Sequence, residues 1–175
     1  MRSVLLVLFA LAAPPAFACG GDPILSCTAR NGTMAIEVCV SGDAFTYAYG
    51  PAGRAPDLTL REPLANGTLY PWQGFGRDIA ESISFHNGPF RYDVACSLDR
   101  LEEDHPTAGG VTFYKNGTKI AAIACDTGRA MLGRFAAQDA MQALGLCWDQ
   151  GVEGWTAACP LSRPCNRSAP QYAVG

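Results

Sequence analysis

Two histidines are all that this chain of 175 residues contains, and neither stands in an arrangement that would make it a catalytic base. A nucleophile–base pair needs a histidine beside a Ser or Cys, with an acid to orient it. No G-x-S-x-G or H-E-x-x-H motif occurs. His86 sits next to an Asn-Gly turn and His105 lies between an acidic run and Pro106, so both read as solvent-facing loop residues. The eight cysteines include no C-x-x-C, which excludes a redox dithiol and a zinc ribbon. No three basic residues are consecutive, which argues against nucleic acid and against an anionic membrane surface. No apolar run reaches the ~20 residues of a transmembrane helix. Cofactor motifs are missing as well. Gly74-x-Gly76 is half of a dinucleotide fingerprint, but it has Ile at position 79 and no βαβ context. Asp99, Glu102, Glu103 and Asp104 lack the alternation and central glycine of an EF-hand loop. The expectation is a protein with no metal and no cofactor.

What is present begins with a leader. Met1 and Arg2 precede an apolar run from Val4 to Phe9 with Leu11, then Pro14 and Pro15, then Ala16-Phe17-Ala18. That order of charge, apolar stretch and small residues is a secretory signal, so cleavage of residues 1–18 and a periplasmic or secreted, bacterial-type protein are expected. Lipid anchoring at Cys19 is the less favoured alternative. The position three residues before it is Ala rather than Leu, and lipidation would leave an odd number of cysteines. Of the 13 basic residues only Arg2 lies in the leader, so the rest of the chain has four more acids than bases. In an oxidising compartment Cys19, Cys27, Cys39, Cys96, Cys125, Cys147, Cys159 and Cys165 are all disulfide candidates. Eight cysteines allow about a hundred pairings.

Four Asn-Gly dipeptides, at 31–32, 66–67, 87–88 and 116–117, punctuate the chain, and Asn-Gly suits the positive φ values of hairpin turns. About the first, Ala29 faces Met34, Cys27 faces Ile36 and Leu25 faces Val38. About the third, Phe85 faces Phe90 and Ile83 faces Tyr92, although Pro89 lacks the N–H that would close that turn. About the fourth, Phe113 faces Ile120 and Val111 faces Ala122. Asn66-Gly67 has weak flanks and reads as a loop. Asn31, Asn66, Asn116 and Asn166 also fit the glycosylation pattern but are more simply turns. Phe45, Tyr47 and Tyr49 alternate with small residues, and Leu58 and Leu60 mark a further short strand. Seven to nine short strands over residues 19–126 predict an antiparallel small barrel or sandwich. Residues 127–148 read as an amphipathic helix with Leu132, Phe135, Ala136, Ala140, Ala143 and Leu144 on one face. Residues 149–175 read as an irregular, disulfide-stapled tail.

The segment Leu69 to Arg77 collects Tyr70, Trp72, Phe75 and Arg77 among turn residues. These types dominate binding hot spots, and aromatic rings with Arg also suit sugar faces. The competing reading is closure of one end of the β core, the common fate of aromatics in small β domains.

Ser26-Cys27-Thr28, Ile36 to Cys39, Tyr47-x-Tyr-Gly50, Trp72-x-Gly-x-Gly-Arg77, Phe85-x-Asn-Gly88 and Ala108-Gly-Gly-Val111 through Asn116-Gly117 to Cys125 together give the region 24–126 a familiar look. It resembles a family of small exported bacterial β proteins, which implies export and a β fold but no particular activity. It also resembles, more weakly, the c-type lysozyme inhibitors of bacterial envelopes. That likeness implies a small β-barrel with a bridge from an early to a late strand, for which Cys27 and Cys125 would serve. Their inhibitory loop carries Ser-Gly-x-x-Tyr; here Ser41-Gly42 is followed by Phe45 in place of the tyrosine. Strict strand alternation puts Cys27 on the apolar face and Cys125 on the opposite one, so Cys96, beyond Phe90, Tyr92 and Val94, competes as the partner of Cys27. The functional expectation is an exported, non-enzymatic envelope protein that binds a protein or glycan, an inhibitor of a hydrolase such as lysozyme being one form. The alternatives are a hydrolase using His86 or His105, and a structural envelope component.

Overall fold

The computed structural model describes residues 20–127, 130–133 and 135–157. The leader and Cys19, and the tail from 158 with Cys159, Cys165 and Asn166, lie outside the described residues. The strands are β1 (Asp22–Ala29), β2 (Met34–Ser41), β3 (Ala44–Pro51), β4 (Leu58–Pro63), β5 (Leu69–Tyr70), β6 (Asp78–Asn87), β7 (Phe90–Asp99), β8 (Thr107–Lys115), β9 (Thr118–Ala124), β10 (Met131–Leu132), β11 (Cys147–Asp149) and β12 (Gly154–Thr156), with one helix, α1 (Ala136–Ala143). They form a sheet of order β10-β1-β2-β3-β4, a second of order β5-β6-β7-β8-β9, and the ribbon β11-β12, all antiparallel. The two large sheets do not close on one another, so the architecture is a sandwich and not a barrel. Alternation builds its interior. Leu25, Cys27, Ile36, Val38, Phe45 and Tyr47 of one sheet meet Leu69, Ile83, Phe85, Val94 and Val111 of the other, all buried. Burying side chains of this size contributes roughly 1.5–3 kcal/mol each.

Of the three hairpins, one keeps its expected register and two depart from it. The first agrees throughout, with Ala29 opposite Met34, Cys27 opposite Ile36 and Leu25 opposite Val38. Asp126 braces its turn, accepting from the Asn31 and Gly32 amides and from the Thr28 hydroxyl. In the second, the loop is Gly88-Pro89 and Asn87 pairs with Phe90, so Phe85 faces Tyr92 and Ile83 faces Val94. Pro89 explains the displacement: placed inside the loop, it is not asked for the N–H it lacks, and Gly88 takes φ +58°. Displacement of both flanks keeps every apolar residue on its expected face. In the third, Asn116-Gly117 forms the turn, but a bulge between Phe113 and Tyr114 puts Phe113 opposite Ala121 and Val111 opposite Ile123. One extra residue inverts the faces of the rest of β9. Ile120 turns outward and Ile123 inward.

That inversion carries Cys125 to the inner side, where it is bonded to Cys27. Gly109 makes the room, since a Cβ there would stand 3.1 Å from the Cys125 sulfur and 2.9 Å from Leu25 Cδ1. Cys39 and Cys147 are also disulfide-bonded. Cys96 is not a disulfide partner; it is a free thiol, and burial, with Glu81 nearby, pushes it up to about 12. It therefore carries its proton at neutral pH.

The C-terminal expectations need correction. The helix has eight residues, not the twenty-two of 127–148, and Leu132 belongs instead to a strand that extends the first sheet beside Leu25. Its buried residues are Ala137 and Met141, while Ala143 and Leu144 are exposed. Ala136 and Ala140 of the expected face do pack against the core, so the buried stripe overlaps the expected one and is centred one residue further along the helix. Residues 147–156, assigned in part to an irregular tail, form a hairpin with Trp148 paired across from Trp155.

Candidate functional site

Alternation on β5 sends Leu69 into the core and leaves Tyr70 47% exposed. From there the chain leaves the sheet, runs through residues 71–77, and re-enters as β6. The corner this creates holds all three tryptophans of the protein. Trp72 comes from the loop itself, and Trp148 and Trp155 come from the β11–β12 hairpin. Tyr70 meets Trp148 edge-on at 5.2 Å between ring centroids, and Trp148 meets Trp155 in the same way at 5.8 Å. These are the preferred quadrupolar arrangements, each contributing about 0.5–1.5 kcal/mol beyond burial.

The indole nitrogens fix the corner. Trp155 Nε1 donates to the Leu69 carbonyl at 2.7 Å, tying the hairpin to β5. Trp148 Nε1 donates to Gln73 Oε1 at 3.1 Å, and Gln73 Nε2 donates to the Pro71 carbonyl at 2.7 Å. Trp72 Nε1 donates to the Phe75 carbonyl at 2.9 Å across the loop. Arg100 lies over the Trp72 ring, 5.5 Å from its centroid, and donates to the Gly76 carbonyl at 2.8 Å. Gly74 and Gly76 have φ of +85° and +93°, a backbone that any side chain would strain. Between them Phe75 is 72% exposed.

Of the four residues singled out from sequence, Tyr70 and Phe75 are exposed, Trp72 is half-buried, and Arg77 is exposed but committed. Arg77 Nε donates to Asp99 Oδ2 at 2.6 Å and its Nη2 to Glu102. Those two hydrogen bonds raise the affinity of the guanidinium for its proton. Burial works against ionisation of Asp99, but the Leu101 amide and Arg77 outweigh it and hold the carboxyl below its ordinary range. Arg77 thus pins the 99–105 loop against the 71–77 loop. Trp148 and Trp155 were not singled out, and the only sequence signal for them is that they are the chain's remaining tryptophans.

The two histidines lie apart, His86 on β6 and His105 at the end of the 99–105 loop. His86 Nδ1 lies 3.2 Å from Glu62 Oε2 and is half-exposed. His105, at φ 45°, has Nδ1 3.2 Å from the Asp99 carbonyl. Among the described residues no group of three or more His, Cys, Asp or Glu could hold a metal ion, and no helix is long and apolar enough to cross a membrane. Compared with protein-family models, curated proteins and solved structures, the chain matches none.

Proposed function

We propose that the chain is an exported, non-enzymatic binding protein of the cell envelope, and that the aromatic corner around residues 69–77 is its recognition surface. One observation carries the reading. Two segments some 75 residues apart bring five aromatic side chains to one surface corner, and every indole N–H there is spent on holding the corner's shape. Rigid aromatic surface binds at a low entropic cost, because little remains to be ordered. The signal-like leader supports export, and the disulfides fit an oxidising compartment. An envelope glycan or an envelope protein, including a hydrolase such as lysozyme that it would inhibit, is the class of partner.

Titration of the purified protein with soluble peptidoglycan fragments and with a c-type lysozyme tests the reading. Saturable binding to one of them is expected, weakened about tenfold by Tyr70→Ala in a protein that stays folded and loses only a few degrees of melting temperature with the Trp148 contact. A Tyr70→Ala protein that binds as the parent does would sink it.

A further inference from the structure

The loop at the tip of the corner is built to hold a single side chain out in water. We propose that Phe75 is an anchor that enters an apolar pocket on a protein partner whose rim is basic. The inference rests on the binding reading above and names the partner's chemistry.

An exposed phenyl ring is unfavourable in itself, and the chain devotes many contacts to keeping this one exposed. Its carbonyl is held by Trp72 Nε1, the next carbonyl by Arg100 Nε, and the Arg77 carbonyl by the Arg100 amide. Gly74 and Gly76 supply the positive φ values on either side. With its backbone braced from both flanks, Phe75 has only its two side-chain torsions left to lose on binding, the condition under which an aromatic becomes a hot spot. The surroundings set the sign of the partner's charge. Asp78 at the start of β6, Asp99 at the end of β7, and Glu102, Glu103 and Asp104 after it flank the contact between the two loops that Arg77 and Arg100 cross-link, giving five carboxylates against two guanidiniums. Asp99 and Glu102 are the partners of Arg77, which leaves Asp78, Glu103 and Asp104 exposed against the one remaining guanidinium, Arg100. A sugar would use the flat face of a ring against a shallow surface, while a ring raised on a braced loop suits a concavity, and the acidic surround favours a basic rim.

Site-specific photocrosslinking tests this in cells that make the full-length protein. Phe75→p-benzoylphenylalanine should give an adduct with one basic protein, which the same probe in place of the exposed Ile120 on β9 should not. With that protein purified, Phe75→Ala should weaken binding at least ~30-fold, leave the melting temperature unchanged, and leave a residual affinity that falls with salt. An adduct confined to a glycan, to an acidic protein or to a second copy would overturn the proposal. So would no adduct above the Ile120 control, or parental affinity in Phe75→Ala. If Tyr70→Ala weakens binding and Phe75→Ala does not, the anchor fails and the aromatic-corner reading stands. If neither does, both fail.

Discussion

Glu62 on β4 and Glu81 on β6 point to the interior from different sheets and are buried alike, 5% and 8% exposed, yet their surroundings are opposite. Glu62 receives three contacts: Asn66 Nδ2 at 2.7 Å, and the His86 amide and ring Nδ1 at 3.2 Å each. It joins the edge of one sheet to the second and, through Asn66, fixes the short 3-10 turn Leu64–Asn66 that leads to the aromatic corner. Glu81 has a hydrogen bond from Gln138 of α1 but faces the charge of Asp139, and its Oε1 has no partner. Burial, then Asp139, pushes its carboxyl up to about 7, with Gln138 opposing. Burial of a carboxylate does not by itself say whether it stabilises; the donors around it decide.

The largest expected effect comes from breaking the satisfied site. Glu62→Ala strands the Asn66 amide and the His86 N–H, and should cost about 2–3 kcal/mol in denaturant unfolding. A loss under about 0.5 kcal/mol would show that the three contacts carry no weight. The second prediction uses pH on the strained site. Glu81 holds its proton more tightly folded than unfolded, so between its ordinary value of 4.5 and about 7 the folded state binds the extra proton. The Glu81 contribution to stability should therefore be fullest below 4.5, fall as pH rises through 7, and flatten above. The fall should reach no more than about 3 kcal/mol. Glu81→Gln should remove that slope and exceed the parent in stability at pH 8; an unchanged slope would assign the effect to another group. The smallest effect belongs to Asp139→Asn. Asp139 is exposed, so removing its charge should move the Glu81 fall to lower pH and add no more than ~0.5 kcal/mol at neutral pH.

How much of this was legible depended on whether a local rule had a competitor. The first hairpin could be read residue by residue because its flanks alternate cleanly and its turn demands nothing unusual. The register at Pro89 was readable only as a conflict, since a missing N–H says that the turn must move but not which way. The bulge beside Tyr114 left no mark, because Ile120-Ala121-Ala122-Ile123 offers an apolar residue to the interior in either phase. That ambiguity is what set Cys125 on the wrong face and promoted Cys96 as a rival for Cys27. In the candidate site, Tyr70, Trp72, Phe75 and Arg77 could be grouped by proximity in sequence. Trp148 and Trp155 join them only through a tertiary contact, and the inward face of α1 is ambiguous in the sequence because alanines at 136, 137, 140 and 143 satisfy more than one helical face.

The bond between Cys27 and Cys125 spans 98 residues of sequence, which constrains the order of events while the chain is being made. Cys27 emerges early, and Cys39 and Cys96 both appear before its true partner does. Oxidation in order of appearance would join neighbours and trap β1 in a small loop, so the native bond must wait for β9 and its bulge, or be reached by exchange. Once closed, a ring of that length removes about 4–5 kcal/mol worth of freedom from the unfolded chain on a chain-entropy account. The partly buried thiol of Cys96, still protonated at neutral pH, is a poor nucleophile toward it. The finished molecule is thereby protected from the thiol that its unfinished form has to avoid.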